Sequence, residues 1–173
     1  IEELNLTNGE VLFSQQKVPQ DKLSLIYNAV DCTINVSDAE GFGLATLESL
    51  SCGTPIIVSR TGGLQEQIRG PGSKEEYGVG ITPASKAVIG SQPIPWIYED
   101  RLSGDDVIEA METMFYMSKE KREKLGLAGR QHVIDNYNFE TFNKTWVDVL
   151  TKLHEEEGSW DTRKQTQRWV VEE

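Results

Sequence analysis

The stretch Ser37-Asp38-Ala39-Glu40-Gly41-Phe42-Gly43-Leu44-Ala45-Thr46-Leu47-Glu48 continues through Ser49-Leu50-Ser51-Cys52-Gly53-Thr54-Pro55 into the apolar run Ile56-Ile57-Val58. It follows another short apolar run, Asp31–Val36, so the order reads strand, glycine loop, helix, strand. Two glycines flanking Phe42 at the carboxyl end of a strand let the backbone turn sharply and leave its amides open to a ligand. The helix that begins near Leu44 adds unpaired N–H groups and the positive end of its dipole, a ready anion site suited to a diphosphate. Gly53 ends that helix, and Pro55 follows two residues later.

Two carboxylates flank the glycines at a spacing of eight residues, Glu40 and Glu48. Glu40 lies in the loop, facing whatever is bound beyond the phosphate, whereas Glu48 lies one turn into the helix, roughly 6 Å along its axis. A carboxylate accepts two hydrogen bonds from vicinal hydroxyls, so each suits a sugar, one a hexose and the other a ribose. Glycines, helix start and carboxylates together describe a pocket for a nucleotide-diphosphate sugar. The bland alternatives are that Ser37-Asp38-Ala39-Glu40 is a capping box and that Glu48 is a solvated helix residue. Gly41 and Gly43 are poor first-turn residues, which weighs against capping alone.

Outward from this centre, further strands are expected at Glu10–Ser14, Pro55–Ser59 and Tyr77–Ile81, with helices near 20–30, 44–52 and 63–69. Strands alternating with helices give βαβ units and a parallel sheet flanked by helices, an α/β, Rossmann-like fold. The 20–30 helix follows Pro19 and repeats Leu23, Ile26, Tyr27 and Val30 on one face, as a helix lying on a sheet does. From Gly70 to Leu102 the periodicity loosens, with Pro83, Pro93 and Pro95 around Trp96 and Tyr98. Such a stretch is usually functional or mobile. Ser103-Gly104-Asp105-Asp106 opens a helix carrying Val107, Met111, Met114 and Phe115, and helices over 119–136 and 139–157 follow. The last repeats Phe139, Phe142, Trp146, Val149, Leu150 and Leu153 at helical spacing, which reads as core. The expected division is a domain over 1–157 and a tail over 158–173 that carries Trp160 and Trp169.

The whole chain has 173 residues, enough for one domain with a real core, and a net charge of −11. That charge repels phosphate backbones and anionic lipid, so nucleic-acid and membrane-surface binding are disfavoured, although a local amide site needs no net charge. No apolar run approaches the ~18 residues of a membrane span, and the first residues lack a signal-peptide pattern, so a cytoplasmic chain is expected. Cys32 and Cys52 read as reduced core thiols, with no metal-ligand spacing around them. His132 and His154 read as solvated helix surface, and the Glu99-Asp100 and Asp105-Asp106 pairs as solvated charge rather than a metal site.

Residues 40–48 resemble the Glu-x7-Glu motif of the retaining GT-B glycosyltransferases of family 4, in the form E-G-F-G-x-x-x-x-E. Ser37 before it, Leu50-Ser51-Cys52-Gly53-Thr54-Pro55-Ile56 after it and Thr61-Gly62-Gly63-Leu64-Gln65-Glu66 beyond the next strand are similar to that family's C-terminal, donor-binding domain. Tyr137-Asn138-Phe139-Glu140 resembles its late helix start. The resemblance implies that Glu40 contacts the donor hexose at the reacting centre and Glu48 the ribose. It also implies that the amides of Gly41, Phe42, Gly43 and Leu44 hold hexose and diphosphate, and that Gly62 and Gly63 line the same crevice. It implies retaining transfer from a nucleotide-diphosphate sugar, with no cofactor and no metal.

Set against the family pattern, the chain is expected to start after the donor domain's opening strands and the basic residues of their first loop, and after the N-terminal acceptor domain. Lys17 and Arg60 are the nearest basic substitutes, and the isolated chain is expected to be catalytically incompetent. Two other readings are a non-catalytic sugar-nucleotide or carbohydrate-recognition module and an NADP-dependent oxidoreductase. For the latter, Gly41-x-Gly43 follows a strand and Arg60 could hold a ribose phosphate, but Thr46 stands where the third glycine belongs.

Overall fold

The computed structural model describes residues 2–159 and 161–164. Three parallel strands form the central sheet, β1 (Thr33–Asn35), β2 (Ile56–Ser59) and β3 (Gly78–Ile81), in the order β1-β2-β3. Their register pairs Thr33 with Ile56 and Ile57 with Val79. α1 (Gln20–Ala29) precedes the sheet, and α2 (Leu44–Ser51) and α3 (Leu64–Ile68) make the two crossovers. β2, buried at every position, is the middle strand, and its side chains alternate between two cores. Ile56 and Val58 face Leu50, Leu64 and Ile68, whereas Ile57 faces Ile81, Ala110 and Met114. A sheet covered on both faces needs apolar residues at successive positions, which is why Ile56-Ile57-Val58 is unbroken. The expected α/β fold with a parallel, helix-flanked sheet is the one observed.

Below β3 the chain adds α4 (Gly104–Phe115), α5 (Lys119–Asn136) and α6 (Phe139–Glu157). Each starts on a polar cap: Ser103 Oγ accepts from the Asp105 amide, Ser118 Oγ from Lys121 and Asn138 Oδ1 from Thr141. Such caps each contribute ~1 kcal/mol.

Four expectations are corrected. Glu10–Ser14 forms no strand; Leu12 is 86% exposed, and no strand among the described residues pairs with the segment. The loose stretch before Leu102 contains a missed antiparallel hairpin, β4 (Ser85–Val88) with β5 (Tyr98–Arg101). None of its residues is fully buried and β5 is largely charged, so it lacks the apolar alternation by which strands are recognised. The apolar stripe of α6 is not core: Phe139 is 82% exposed, and Phe142, Trp146, Val149, Leu150 and Leu153 are exposed as well, since nothing among the described residues covers it. His132 is 4% exposed rather than on the surface, stacked on Tyr77 at 4.8 Å.

α1 departs more mildly from its expected place. Leu23 and Tyr27 are half-buried where α1 meets α2, while Ile26 and Val30 remain exposed, so the helix leans on α2 instead of lying on the sheet. Trp160 and Trp169 lie outside the described residues.

Candidate functional site

The loop from Ser37 to Gly43 leaves the carboxyl end of β1 and enters α2. Its carbonyls are held from four directions. Ser59 Oγ donates to the Ser37 carbonyl at 2.7 Å, the Asp100 amide to Asp38 at 2.9 Å, and the Gly63 amide to Glu40 at 3.2 Å. The Gln67 side-chain amide donates to the carbonyl of Phe42. With these carbonyls engaged, the amides of Gly41, Gly43, Leu44 and Ala45 have no acceptor among the described residues. Gly43 has φ +85 and is the N-cap of α2, a left-handed conformation that glycine adopts without strain. The result is a row of free donors at the positive end of an eight-residue helix.

The second glycine loop sits against the first, backbone to backbone. A Cβ on Gly62, whose φ is +45, would lie 1.7 Å from the Glu40 carbonyl oxygen, and one on Gly63 would lie 2.7 Å from that of Gly41. Only glycines let these loops meet. The resemblance implies that both line one crevice; the structure places the two loops in direct contact.

The carboxylates are arranged differently from each other. Half-buried Glu40 turns back on its own loop, Oε1 accepting from the Phe42 amide at 3.3 Å, so that amide is taken in this state. Glu48 is exposed on α2, and its Oε2 accepts from the Tyr27 hydroxyl at 2.9 Å. Burial, and then the bond to Glu48, pushes the Tyr27 phenol up to about 12. Tyr27 therefore stays a neutral donor across the physiological range.

Neither basic substitute joins this arrangement. Arg60 is engaged with Glu76, at 2.5 and 2.9 Å, and Lys17 lies exposed before α1. The Arg60 guanidinium, on which the oxidoreductase reading depends, is paired with Glu76 in this structure. Among the described residues, no cluster of three or more His, Cys, Asp or Glu could hold a metal ion. Cys32 and Cys52 are free and half-buried, and burial pushes the Cys32 thiol up, away from reactivity.

Three contributors went unread in the sequence. Tyr27 was counted only as part of an apolar face. Gln67 carried a signal, a polar residue at a position of α3 where Leu64 and Ile68 mark the buried side. Arg101, which pairs with both Asp38 and Glu99 at 2.8 Å, belongs to the hairpin that periodicity did not reveal.

An apolar groove of about 650 Å³ opens beside the site, lined by Phe42, Leu44, Leu47, Tyr137, Phe142 and Trp146 among others. A second, of about 440 Å³, lies along the other face near the outer edge of β1, between Ile34, Ile57, Met111 and Phe115.

Parts of the chain are similar to known proteins. Residues 1–75 match the family model described as glycosyl transferases group 1. A D-inositol 3-phosphate glycosyltransferase of Acidothermus cellulolyticus is 46% identical over 52 residues, 30% of this chain and 12% of that protein. One from Thermobispora bispora is 40% identical over 61 residues, 35% of this chain and 14% of that protein. The matched segments thus span a small fraction of these relatives. A solved structure of sucrose-phosphate synthase from Thermosynechococcus elongatus superposes with a TM-score of 0.65 at 24% identity, covering 90% of this chain and 33% of that one, which shows a common fold. The glycine-loop segment thus lies inside the residues that are similar to the glycosyl transferases group 1 family, and the fold is shared with the solved synthase along most of the chain.

Proposed function

We propose that this chain belongs to the donor-binding, C-terminal domain of a retaining glycosyltransferase and that it binds a nucleotide-diphosphate sugar. The observation that carries the reading is the interlock of the two glycine loops. Their carbonyls are held inward and four amides are left free at the start of α2, with Glu40 and Glu48 on either side. The diphosphate takes the free amides of Gly43 and Leu44, and Gly62 and Gly63 let the ligand approach the backbone. Glu48 accepts from ribose hydroxyls. On binding, Glu40 releases the Phe42 amide and turns to the hexose, where it positions the sugar and stabilises developing positive charge without forming a covalent bond. Preorganised amides facing a leaving diphosphate are the kind of electrostatic stabilisation that commonly dominates catalysis, and the reading requires no metal.

The relatives named as D-inositol 3-phosphate glycosyltransferases support sugar transfer as the chemistry of the whole protein. Acceptor recognition falls to an N-terminal domain, so the chain alone gives no sugar transfer. Free thiols at Cys32 and Cys52 suit the reducing cytoplasm, where we place it.

Titration calorimetry with UDP, GDP and ADP and with their glucose or mannose conjugates tests the proposal. One series binds, and Glu48→Ala weakens it about tenfold, the order of a lost charge-assisted hydrogen bond. Absence of binding by all of these ligands, or no effect of Glu48→Ala, would remove the donor-binding reading.

A further inference from the structure

Position 67 breaks the apolar pattern of α3. Leu64 and Ile68 are fully buried on the sheet side, and Gln67 between them is also 0% exposed, where a Leu or Val would serve packing better. An amide taken out of water is costly unless it is hydrogen-bonded. Gln67 uses its Nε2 donor on the Phe42 carbonyl, and its Oε1 has no partner among the described residues. The side chain lies directly beneath the glycine loop: a Cβ on Gly43 would come 3.4 Å from both Gln67 Nε2 and Oε1.

Phe42 is the one residue between the two loop glycines, and its carbonyl is the last that a side chain holds before α2 begins. A peptide plane has two ends, so a carbonyl fixed inward turns the N–H of the next residue outward. The carbonyl of Phe42 and the amide of Gly43 share one plane. Gly43, with glycine freedom on both sides of φ = 0, could otherwise rotate that plane and point the carbonyl at the ligand.

We infer that Gln67 is a positioning residue for the diphosphate site. By holding the Phe42 carbonyl toward α3, it keeps the Gly43 amide aimed at the anion. The inference rests on the donor-binding reading above and deepens it. Gln67 touches no ligand; it sets the direction of the backbone dipole that does.

The test compares the full chain with Gln67→Met, which keeps length and volume but cannot donate, and with Gln67→Glu. The nucleoside diphosphate that binds wild type best is titrated into each. The Phe42 carbonyl ¹³C resonance and the Gly43 and Leu44 amide resonances are followed by NMR. Gln67→Met loses the hydrogen-bond shift of the Phe42 carbonyl and binds the diphosphate about tenfold more weakly, while resonances of β2 and β3 stay in place. Gln67→Glu binds poorly at neutral and higher pH, because a carboxylate cannot donate. It recovers relative to wild type at the same pH as acid protonates the side chain, since a carboxyl O–H can donate to Phe42. A merely structural glutamine would show no such pH-linked recovery.

Unchanged affinity in Gln67→Met with the fold intact overturns the inference and leaves the donor-binding reading standing. Unfolding of both variants also overturns it, by assigning Gln67 to the core. Absence of wild-type binding removes the function proposal and this inference together.

Discussion

The Tyr27 hydroxyl donates to Glu48 Oε2 at 2.9 Å across twenty-one residues of sequence, joining α1 to α2 at the edge of the anion site. The Tyr27 carbonyl in turn accepts from Thr54 Oγ1 at 2.7 Å, so the tyrosine is tied to the turn that follows α2 as well. Glu48 is exposed and would otherwise sample several rotamers; the phenol selects one. Tyr27→Phe removes the selection and leaves the carboxylate itself. Because only an orienting bond is lost, at ~0.5–1 kcal/mol, nucleoside diphosphate affinity falls about two- to fivefold, less than for Glu48→Ala. Calorimetry on both variants gives that ranking, and equal losses would contradict it.

Gly62 and Gly41 separate a geometric need for glycine from a mere presence of it. A Cβ at Gly62 collides with the Glu40 carbonyl at a positive φ, whereas one at Gly41 meets nothing within 4 Å. Gly62→Ala therefore forces the two loops apart, with a cost of ~2 kcal/mol or more in urea unfolding. Gly41→Ala leaves the unfolding midpoint where it is, whatever it does to ligand. A similar midpoint shift in both would mean that the loops do not interlock.

What was legible in the chain follows the physics of each signal. The strand–loop–helix–strand order around Glu40–Glu48 was readable because a doubly covered strand must be continuously apolar and because glycines mark its exit, and β1, α2, β2, α3 and β3 all appear in that order. Boundaries moved by one or two residues, as at Tyr77, which precedes β3 and stacks on His132 instead. Periodicity misled where it was sound but unpartnered. The stripe from Phe139 to Leu153 is amphipathic as expected, yet amphipathicity says only that a helix can cover something. Leu12 and Phe13 likewise have strand chemistry without a neighbouring strand among the described residues. Long-range pairs left no local trace: nothing near Asp38 announces Arg101, and nothing near Phe42 announces Gln67. Contacts between distant segments are decided by packing, which periodicity does not report.

His132 gives the fold a dependence on pH. Its ring lies between Tyr77 and Tyr137, with the Asn136 side-chain nitrogen 3.0 Å from Nδ1. Burial holds the imidazole below its usual 6.5, opposed by the Glu66 backbone and by Asp135. In the unfolded chain the ring titrates near the ordinary value, so at pH just below it the unfolded state binds more protons than the native one. Stability from this group is then full above about 6.5 and declines as pH falls toward and through the depressed native value. Urea midpoints measured from pH 7.5 down to 5.5 decrease, and His132→Gln flattens that part of the profile. An unchanged slope in the variant would assign the loss to other groups.

Arg101 stands between two carboxylates, Asp38 and Glu99, each 2.8 Å from the same Nη1, and the Asp100 amide fixes the Asp38 carbonyl beside them. This junction fastens the β4–β5 hairpin to the loop that carries Glu40. The two ion pairs are partly exposed, so their strength is screened, and the backbone bond survives any side-chain change. Removing one acid leaves Arg101 its other partner, whereas removing Arg101 leaves two like charges facing each other. Arg101→Gln therefore destabilises more than Asp38→Asn at low ionic strength, and the difference shrinks at 1 M salt as the Debye length falls to about 3 Å. Urea midpoints for the two single variants and the double variant, taken at both salt concentrations, read this directly. In the double variant only Glu99 of the charged triad remains, and the Arg101→Gln penalty is partly relieved. A double variant less stable than either single one at low salt would show that Asp38 and Arg101 hold the hairpin independently of each other.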